Sequence, residues 1–213
     1  MAGAARIDPG PDARERILEA ALEAFAENGF EGSKTRDIAG RAKVTLGLVQ
    51  YYYGSKLELW KAAVDRAFAD LVDSLDEALD ADATLTTRER LRGMLRSHVH
   101  FVARRPEFAR LMHEEGKRRG PRTRWLVDRH VKPLHERLEP MIALAQREGF
   151  LPSTPAPIHY FYAMVGAITM IFHQAEECRR LTGIDPSDPA VADAHALAIE
   201  QLFLAASPQE TRT

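Results

Sequence analysis

The stretch SKTRDIAGRAKVTLGLVQYYYGSK, residues 33–56, constrains the fold more than any other part of the chain. Its spacing predicts two short helices joined by a tight turn, running into the start of a third, longer helix. In the first, Thr35 to Ala42, the residues Ile38, Ala39 and Ala42 share one face at i, i+1 and i+4. Val44 follows in the turn, and a second helix, Leu46 to Tyr52, adds Val49 and the adjoining Tyr53 to the same core. Helices of about two turns are too short to be stable alone, so each must lean on the other. Such a steeply crossed pair serves mainly as a helix-turn-helix, whose second helix enters the major groove of DNA.

The formal net charge of −2 is no signature of a polyanion binder, so the local balance has to carry that reading. Between residues 32 and 56 stand five basic residues, Lys34, Arg36, Arg41, Lys43 and Lys56, against one acid, Asp37. Glu15, Glu19, Glu23 and Glu27 recur every four residues on the preceding helix. Like charges at that spacing repel slightly, which predicts a solvated face turned away from DNA. The chain is long enough at 213 residues for one large or two modest domains. It holds no run of about 18 apolar residues, so no membrane partner is expected. Residues 1–15 lack the apolar core of a signal peptide, and the lone Cys178 fits a reducing compartment. Both point to a cytoplasmic location.

Read in order, residues 1–10 form a mobile arm in which Arg6 is the one candidate for DNA contact. A helix follows from Pro11 to Asn28, with Ile17, Leu18, Ala21, Leu22 and Phe25 at helical spacing, closed by Gly29. Phe30 turns back onto the core, and Ser33 is the better capping side chain for the next helix. A long helix from Ser55 to Leu79 carries Leu59, Trp60, Ala63, Val64, Ala67, Phe68, Leu71, Val72 and Leu75 along one stripe. Lys56 lies in its first turn, where a cation opposes the helix dipole; the misplacement suggests a task, most simply a phosphate contact. Residues 81–87 are a polar break. Helices resume at Arg88–Arg104 and Pro106–Gly116, then the basic loop 117–124. Further helices are expected at Trp125–Arg147, kinked by Pro133 and Pro140, at Ala156–Leu181, and from Asp188-Pro189 to Ala206. No strand alternation occurs. The expectation is an all-α chain of about nine helices: arm 1–10, helix-turn-helix domain 11–55, connecting helix 56–80 and a helical domain 81–213.

Gly29-Phe30, Arg36-Asp37-Ile38-Ala39, Val44-Thr45, Gly47-x-Val49, Tyr53 and Ser55-Lys56-x-x-Leu59 follow one another in fixed order. In these residues the chain resembles the DNA-binding domain of the TetR/AcrR family of transcriptional regulators. It departs from that pattern at three places. Lys43 stands where the turn usually has glycine, Gln50 where tyrosine is usual and Tyr52 where histidine is usual. Contacts divide by role, phosphates positioning and bases specifying. Thr35, Arg36, Thr45, Tyr52 and Lys56 are expected to grip phosphates, with Lys43 adding a cation nearby. Leu46, Gly47, Leu48, Gln50 and Tyr51 are expected to face the groove. Glutamine can read an adenine edge through its paired donor and acceptor, Gly47 allows close approach, and Thr45 caps the recognition helix.

The resemblance also implies a carboxy-terminal domain that binds a small-molecule effector and pairs two copies. Large or polar groups on its apolar helices make His98, Phe101, Met112, Trp125, Met164, Phe172 and His173 the candidate effector contacts, an apolar or aromatic molecule being expected. The pairing surface is expected to draw on Ile158, Tyr162, Val165, Gly166, Ile168, Thr169 and Phe172, with Ala194, Leu197, Ala198, Gln201 and Leu202. A homodimer also follows from mechanism, since two recognition helices read half-sites one turn apart. The implied function is a ligand-responsive regulator, more often repressor than activator, on a double-stranded palindromic operator. No catalytic residue, cofactor or metal is expected. Neither Glu-x-x-His nor HExxH occurs, and His173/Glu177 and His98/His100 are poor ligand pairs. Two alternatives stay open: an architectural DNA-binding protein without effector, and a metal-binding enzyme built on a helical bundle.

Overall fold

The computed structural model describes residues 11–80 and 84–204. The arm 1–10 with Arg6, residues 81–83 of the polar break and the expected helix end at Ala206 lie outside them. The described residues are helical throughout: α1 (Pro11–Gly32), α2 (Thr35–Arg41), α3 (Leu46–Tyr53), α4 (Lys56–Asp80), α5 (Thr87–Arg104), α6 (Pro106–Gly116), α7 (Pro121–Leu126), α8 (Lys132–Arg147), α9 (Pro157–His173), α10 (Ala175–Thr182) and α11 (Pro189–Leu204). The chain divides into two compact units between Phe68 and Ala69, inside α4.

In the first unit, Ile17, Ala21 and Phe25 of α1 are buried with Ile38, Ala39, Val49, Leu59 and Trp60, the last fully. α1 breaks where glycine was expected to stop it: Gly29 has φ 67° and ψ 173°, a conformation that a side chain would strain. Phe30 then folds back, stacking on Phe25 at 5.8 Å and meeting Trp60 edge-on at 6.4 Å. Truncating Trp60 to alanine would cost about 3–5 kcal/mol. Ser33 does not cap α2. It is buried, and its hydroxyl donates to the carbonyls of Ala24 and Gly29, both at 2.8 Å. Its work is to tie off the end of α1, and the α2 N-cap is Lys34 without a side-chain bond.

In the second unit, α5 starts one residue before the expected Arg88, with a capping box between Thr86 and Glu89. The basic stretch 117–124 is only half loop, because Pro121 opens α7. From α7 to α8 the chain runs on through one π-helical segment, Val127–Val131. Pro133 stands two residues after this segment, in the first turn of α8; its missing N–H and its ring disturb the ladder of the preceding turn, which a widened turn accommodates. The expected single helix 156–181 is two helices, since Gln174 leaves the helical region at φ −103°, ψ 35°. Counting α7 to α8 as one rod, the described residues therefore form ten helices.

α4 is fastened in both units. Its first half is tied to α1 by Arg66 and Glu15 at 3.0 Å. Its second half is tied to α5 by Arg105 to Asp70 at 3.3 Å and by the Ser74 and Ser97 hydroxyls at 2.7 Å. Asp76 is paired with Arg137 of α8.

Candidate nucleic-acid interface and effector cavity

α3 is held by one side and shown by the other. Val49 is buried and Tyr53 half-buried, its hydroxyl reaching the Arg14 carbonyl at 3.5 Å. Burial raises the Tyr53 phenol above its ordinary range, so it stays a neutral donor. Outward stand Gly47, Gln50 and Tyr51, the last 81% exposed, with Leu46 and Leu48 half-buried. Thr45 caps the helix as expected, its hydroxyl accepting from the Leu48 amide at 3.3 Å. Lys43 takes the left-handed conformation that the turn demands, φ 55°, alone among the described non-glycine residues. A Cβ at Gly47 would meet only the Thr45 hydroxyl, at 4.0 Å, so no internal packing requires glycine there.

Thr35, Gln50 and Lys56 come together around a polar cleft of about 210 Å³, and Arg36 is exposed beside them on α2. Lys56 is turned onto its own chain. Its ammonium donates to the carbonyls of Ser33 at 3.1 Å and Glu31 at 3.4 Å, and lies 4.5 Å from the Phe30 ring centroid. These contacts hold the ammonium in place against the dipole of α4. The acidic face of α1 is also more than solvated surface. Glu27 pairs with Arg41 at 2.6 Å, raising the arginine further above its usual value, and Glu15 holds Arg66. Arg41 is therefore partly committed within the unit. Arg14 of α1 was not expected at this surface; its guanidinium stands 4.5 Å from the Tyr52 ring centroid. Nothing in the local pattern of α1 signals a partner so far along the chain.

In the second unit a cavity of about 40 Å³ lies among α4, α5, α8 and α9. Of the expected effector contacts, His98 and Met164 line it, with Leu75, Leu138, Ile142 and Phe161 among their neighbours. The other five do not. Phe101 packs edge-on against Phe108 at 5.2 Å, and Phe172 against His195 at 5.7 Å. Trp125 meets His130, while His173 stacks on His113 at 4.3 Å. Met112 is half-buried on α6 and is not among the lining residues. Burial pushes the His98 imidazole down to about 4, so it is neutral at pH 7. Desolvation and the neighbouring His113 lower His173 as well.

α9 and α11 show an apolar outer face. Tyr162 is 64% and Leu202 68% exposed, with Ile158 and Leu197 exposed beside them and Ala194, Ala198 and Gln201 on the same helix. Val165 and Gly166 are half-buried, and a Cβ at Gly166 would meet nothing within 4 Å. Three residues expected on this face are not there. Ile168, Thr169 and Phe172 are buried within the unit, and the Thr169 hydroxyl is bonded to the Val165 carbonyl at 2.8 Å. A period of 3.6 leaves the inner and outer stripes of an apolar helix indistinguishable until its neighbours are placed. Met170, exposed on the same helix, was missed for that reason. Among the described residues no helix is long and apolar enough to cross a membrane.

Residues 17–63 match the family described as bacterial regulatory proteins, tetR family, and residues 88–202 match the tetracyclin repressor-like C-terminal domain. The HTH-type transcriptional activator FasR of Mycolicibacterium smegmatis is 31% identical over 106 residues, covering 50% of this chain and 48% of that protein. The HTH-type transcriptional repressor SCO4008 of Streptomyces coelicolor is 32% identical over 107 residues, covering 50% and 51%. The match thus spans about half the length of these relatives. Among solved structures, a TetR-like regulator from Rhodococcus sp. RHA1 superposes with TM-score 0.66 at 23% identity, covering 90% of this chain and 93% of that one. The fatty acid degradation regulator FadR of Bacillus halodurans gives 0.69 at 16%, covering 91% and 98%. At these identities the structures speak for the fold alone.

Proposed function

This chain belongs to the TetR family of transcriptional regulators, which are not enzymes, and from that premise we propose that it is an effector-released repressor acting as a homodimer on a palindromic operator. The observation that carries the reading is the two-sidedness of α3: Val49 anchors it while Gly47, Gln50 and Tyr51 face outward. In this reading α3 enters the major groove. Gln50 reads a base edge, Leu46, Leu48 and Tyr51 add apolar or polar contact, and Gly47 lets the backbone come close. Thr35, Arg36, Lys43, Thr45 and Tyr52 grip phosphates, and Arg14 stiffens Tyr52 from its ring face. Lys56 supports the turn beneath them.

Two copies pair through Ile158, Tyr162, Val165, Gly166, Leu197, Gln201 and Leu202, setting the spacing of the two α3 helices. The effector binds the cavity lined by His98 and Met164. A cavity of about 40 Å³ is far below the roughly 150 Å³ that holds a benzene ring. An effector must therefore select a wider conformer, and only its tighter binding to that conformer can shift the balance. Leu75 of α4 lines this cavity, and α4 runs on into the amino-terminal unit, so widening is felt by the helix that both units share. Footprinting on the DNA upstream of the protein's own coding region is the test. Protection of an inverted repeat, lost in a Gln50→Ala, Tyr51→Ala double variant, supports the reading. Protection without sequence preference would favour the architectural alternative.

A further inference from the structure

The lining of the cavity limits what can enter. Ten of its eleven residues are hydrocarbon or thioether side chains and the eleventh is His98; no lysine, arginine, aspartate or glutamate reaches it. A carboxylate or ammonium drawn inside would shed its water with no counter-ion to meet it. His98 is different in kind. Its half-buried ring lines the cavity, and desolvation keeps the ring uncharged at pH 7. Among the described residues none hydrogen-bonds it. A neutral imidazole offers one N–H and one bare nitrogen, and a ligand that covered them without a matching group would leave them unsatisfied at a cost. The group that matches it is a single hydroxyl or carbonyl on a hydrocarbon body.

We propose that this cavity takes an uncharged, predominantly hydrocarbon ligand with one hydrogen-bonding oxygen, and that His98 selects it over both the bare hydrocarbon and the carboxylate of the same skeleton. The inference rests on reading the cavity as the effector site, and its test is kept apart from that reading. Benzyl alcohol, toluene and benzoate form a matched probe series, titrated at pH 7 into the full chain. Calorimetry gives the affinity, and the imidazole nitrogen resonances of His98 give the place. Benzyl alcohol should bind about tenfold more tightly than toluene, the worth of one neutral hydrogen bond, and shift the His98 resonances; benzoate should do neither. In a His98→Leu variant the alcohol should fall to the level of toluene, with toluene retained. In His98→Gln, which keeps a donor and an acceptor, part of the preference should survive. Benzoate binding as tightly as the alcohol, an alcohol preference undiminished in His98→Leu, binding that leaves His98 resonances unmoved, or no binding of the alcohol each overturns the proposal. Operator affinity is measured separately with each probe. Selective binding at His98 that leaves operator affinity unchanged would uphold the ligand class and sink the effector reading.

Discussion

The two units distribute polarity in opposite ways. The amino-terminal unit has its hydrophobic residues inside, with Trp60 and Phe25 fully buried, and its cations outside or paired, as Arg41 is to Glu27. The carboxy-terminal unit breaks that order twice. Tyr162, Leu197 and Leu202 stand in solvent, and the half-buried His98 imidazole lines an otherwise apolar cavity. Each inversion costs free energy in an isolated copy, so each marks a place where something else is due. Among the described residues of the amino-terminal unit the large hydrophobics in solvent are Tyr51, on the surface proposed for DNA, and Leu57 at its 38% exposure. On the proposed reading each surface has its own kind of partner: a polyanion where cations surround one exposed aromatic ring, a second copy where a mainly apolar face is exposed, and a small neutral molecule where one polar ring lines an apolar cavity.

The largest effect expected is on pairing. Tyr162→Glu places a charge on each side of a two-fold contact, so it is counted twice, and should weaken the dimer by about 4 kcal/mol or more. Sedimentation equilibrium should then find a dimer for the parent and monomers for the variant. Because Tyr162 is largely exposed, circular dichroism should be unchanged. Gly166→Ala sharpens the same point by sign. Its Cβ meets nothing in one copy, so the helix should gain up to about 1 kcal/mol, while a packed partner would make the dimer weaker. An unchanged mass for Tyr162→Glu would break the comparison at its main term.

The second inversion is tested by acid. Unfolded, His98 takes its proton near pH 6.5, and folded only near 4. Between those values the unfolded chain binds more protons, so stability rises with pH and is lost on acidification. The loss from this group should reach about 3 kcal/mol by pH 4 and go no further below it. Denaturant titrations of parent and His98→Leu should therefore keep a constant offset above pH 6.5, and between pH 6.5 and pH 4 the parent should lose that stability relative to the variant. Parallel curves would remove the buried imidazole from the account.

How much of this was legible beforehand depends on whether a feature is local. Gly29, Thr45, the strained Lys43 and Asp188-Pro189, where the Ala190 amide meets the Asp188 carboxylate at 2.8 Å, are all set within a few residues of chain, and all were readable. The tasks of Ser33, Lys56 and Glu27 were not, because their partners are carbonyls and cations brought near only by folding. Gln174 carries no breaker signal; the end of α9 there has no local cause in the sequence. The effector contacts were readable as a class but not as members. Seven large or polar residues on apolar helices fit equally well, and only the packing of α5 against α8 and α9 turns His98 and Met164 toward the cavity.

On the amino-terminal surface the effects are smaller. Gln50→Ala should cost about 1–3 kcal/mol of operator affinity, concentrated at one base pair, which binding to single-site operator variants would locate. An equal loss on every sequence would move Gln50 to the phosphate contacts. Lys56→Met separates structure from recognition. Loss of two charged hydrogen bonds and the Phe30 contact should lower stability by about 2 kcal/mol, while the salt dependence of operator binding stays as in the parent. A slope reduced by about one would restore Lys56 as a phosphate contact.

The smallest effect, at Lys43, bears most directly on the contrast between the units, because there the amino-terminal unit accepts a conformational cost. Holding a lysine at φ 55° costs about 1 kcal/mol, and glycine would relieve it at the expense of a freer unfolded chain. Lys43→Gly should therefore leave stability the same or raise it by less than about 1 kcal/mol. It should also weaken binding to all sequences alike and reduce the salt slope by about one. Stability and affinity moving in opposite directions is the mark of strain kept for function. If Lys43→Gly instead gains stability and binds the operator as well as before, the cation has no part in recognition, and the surface assigned to DNA contracts to α3 and the start of α2.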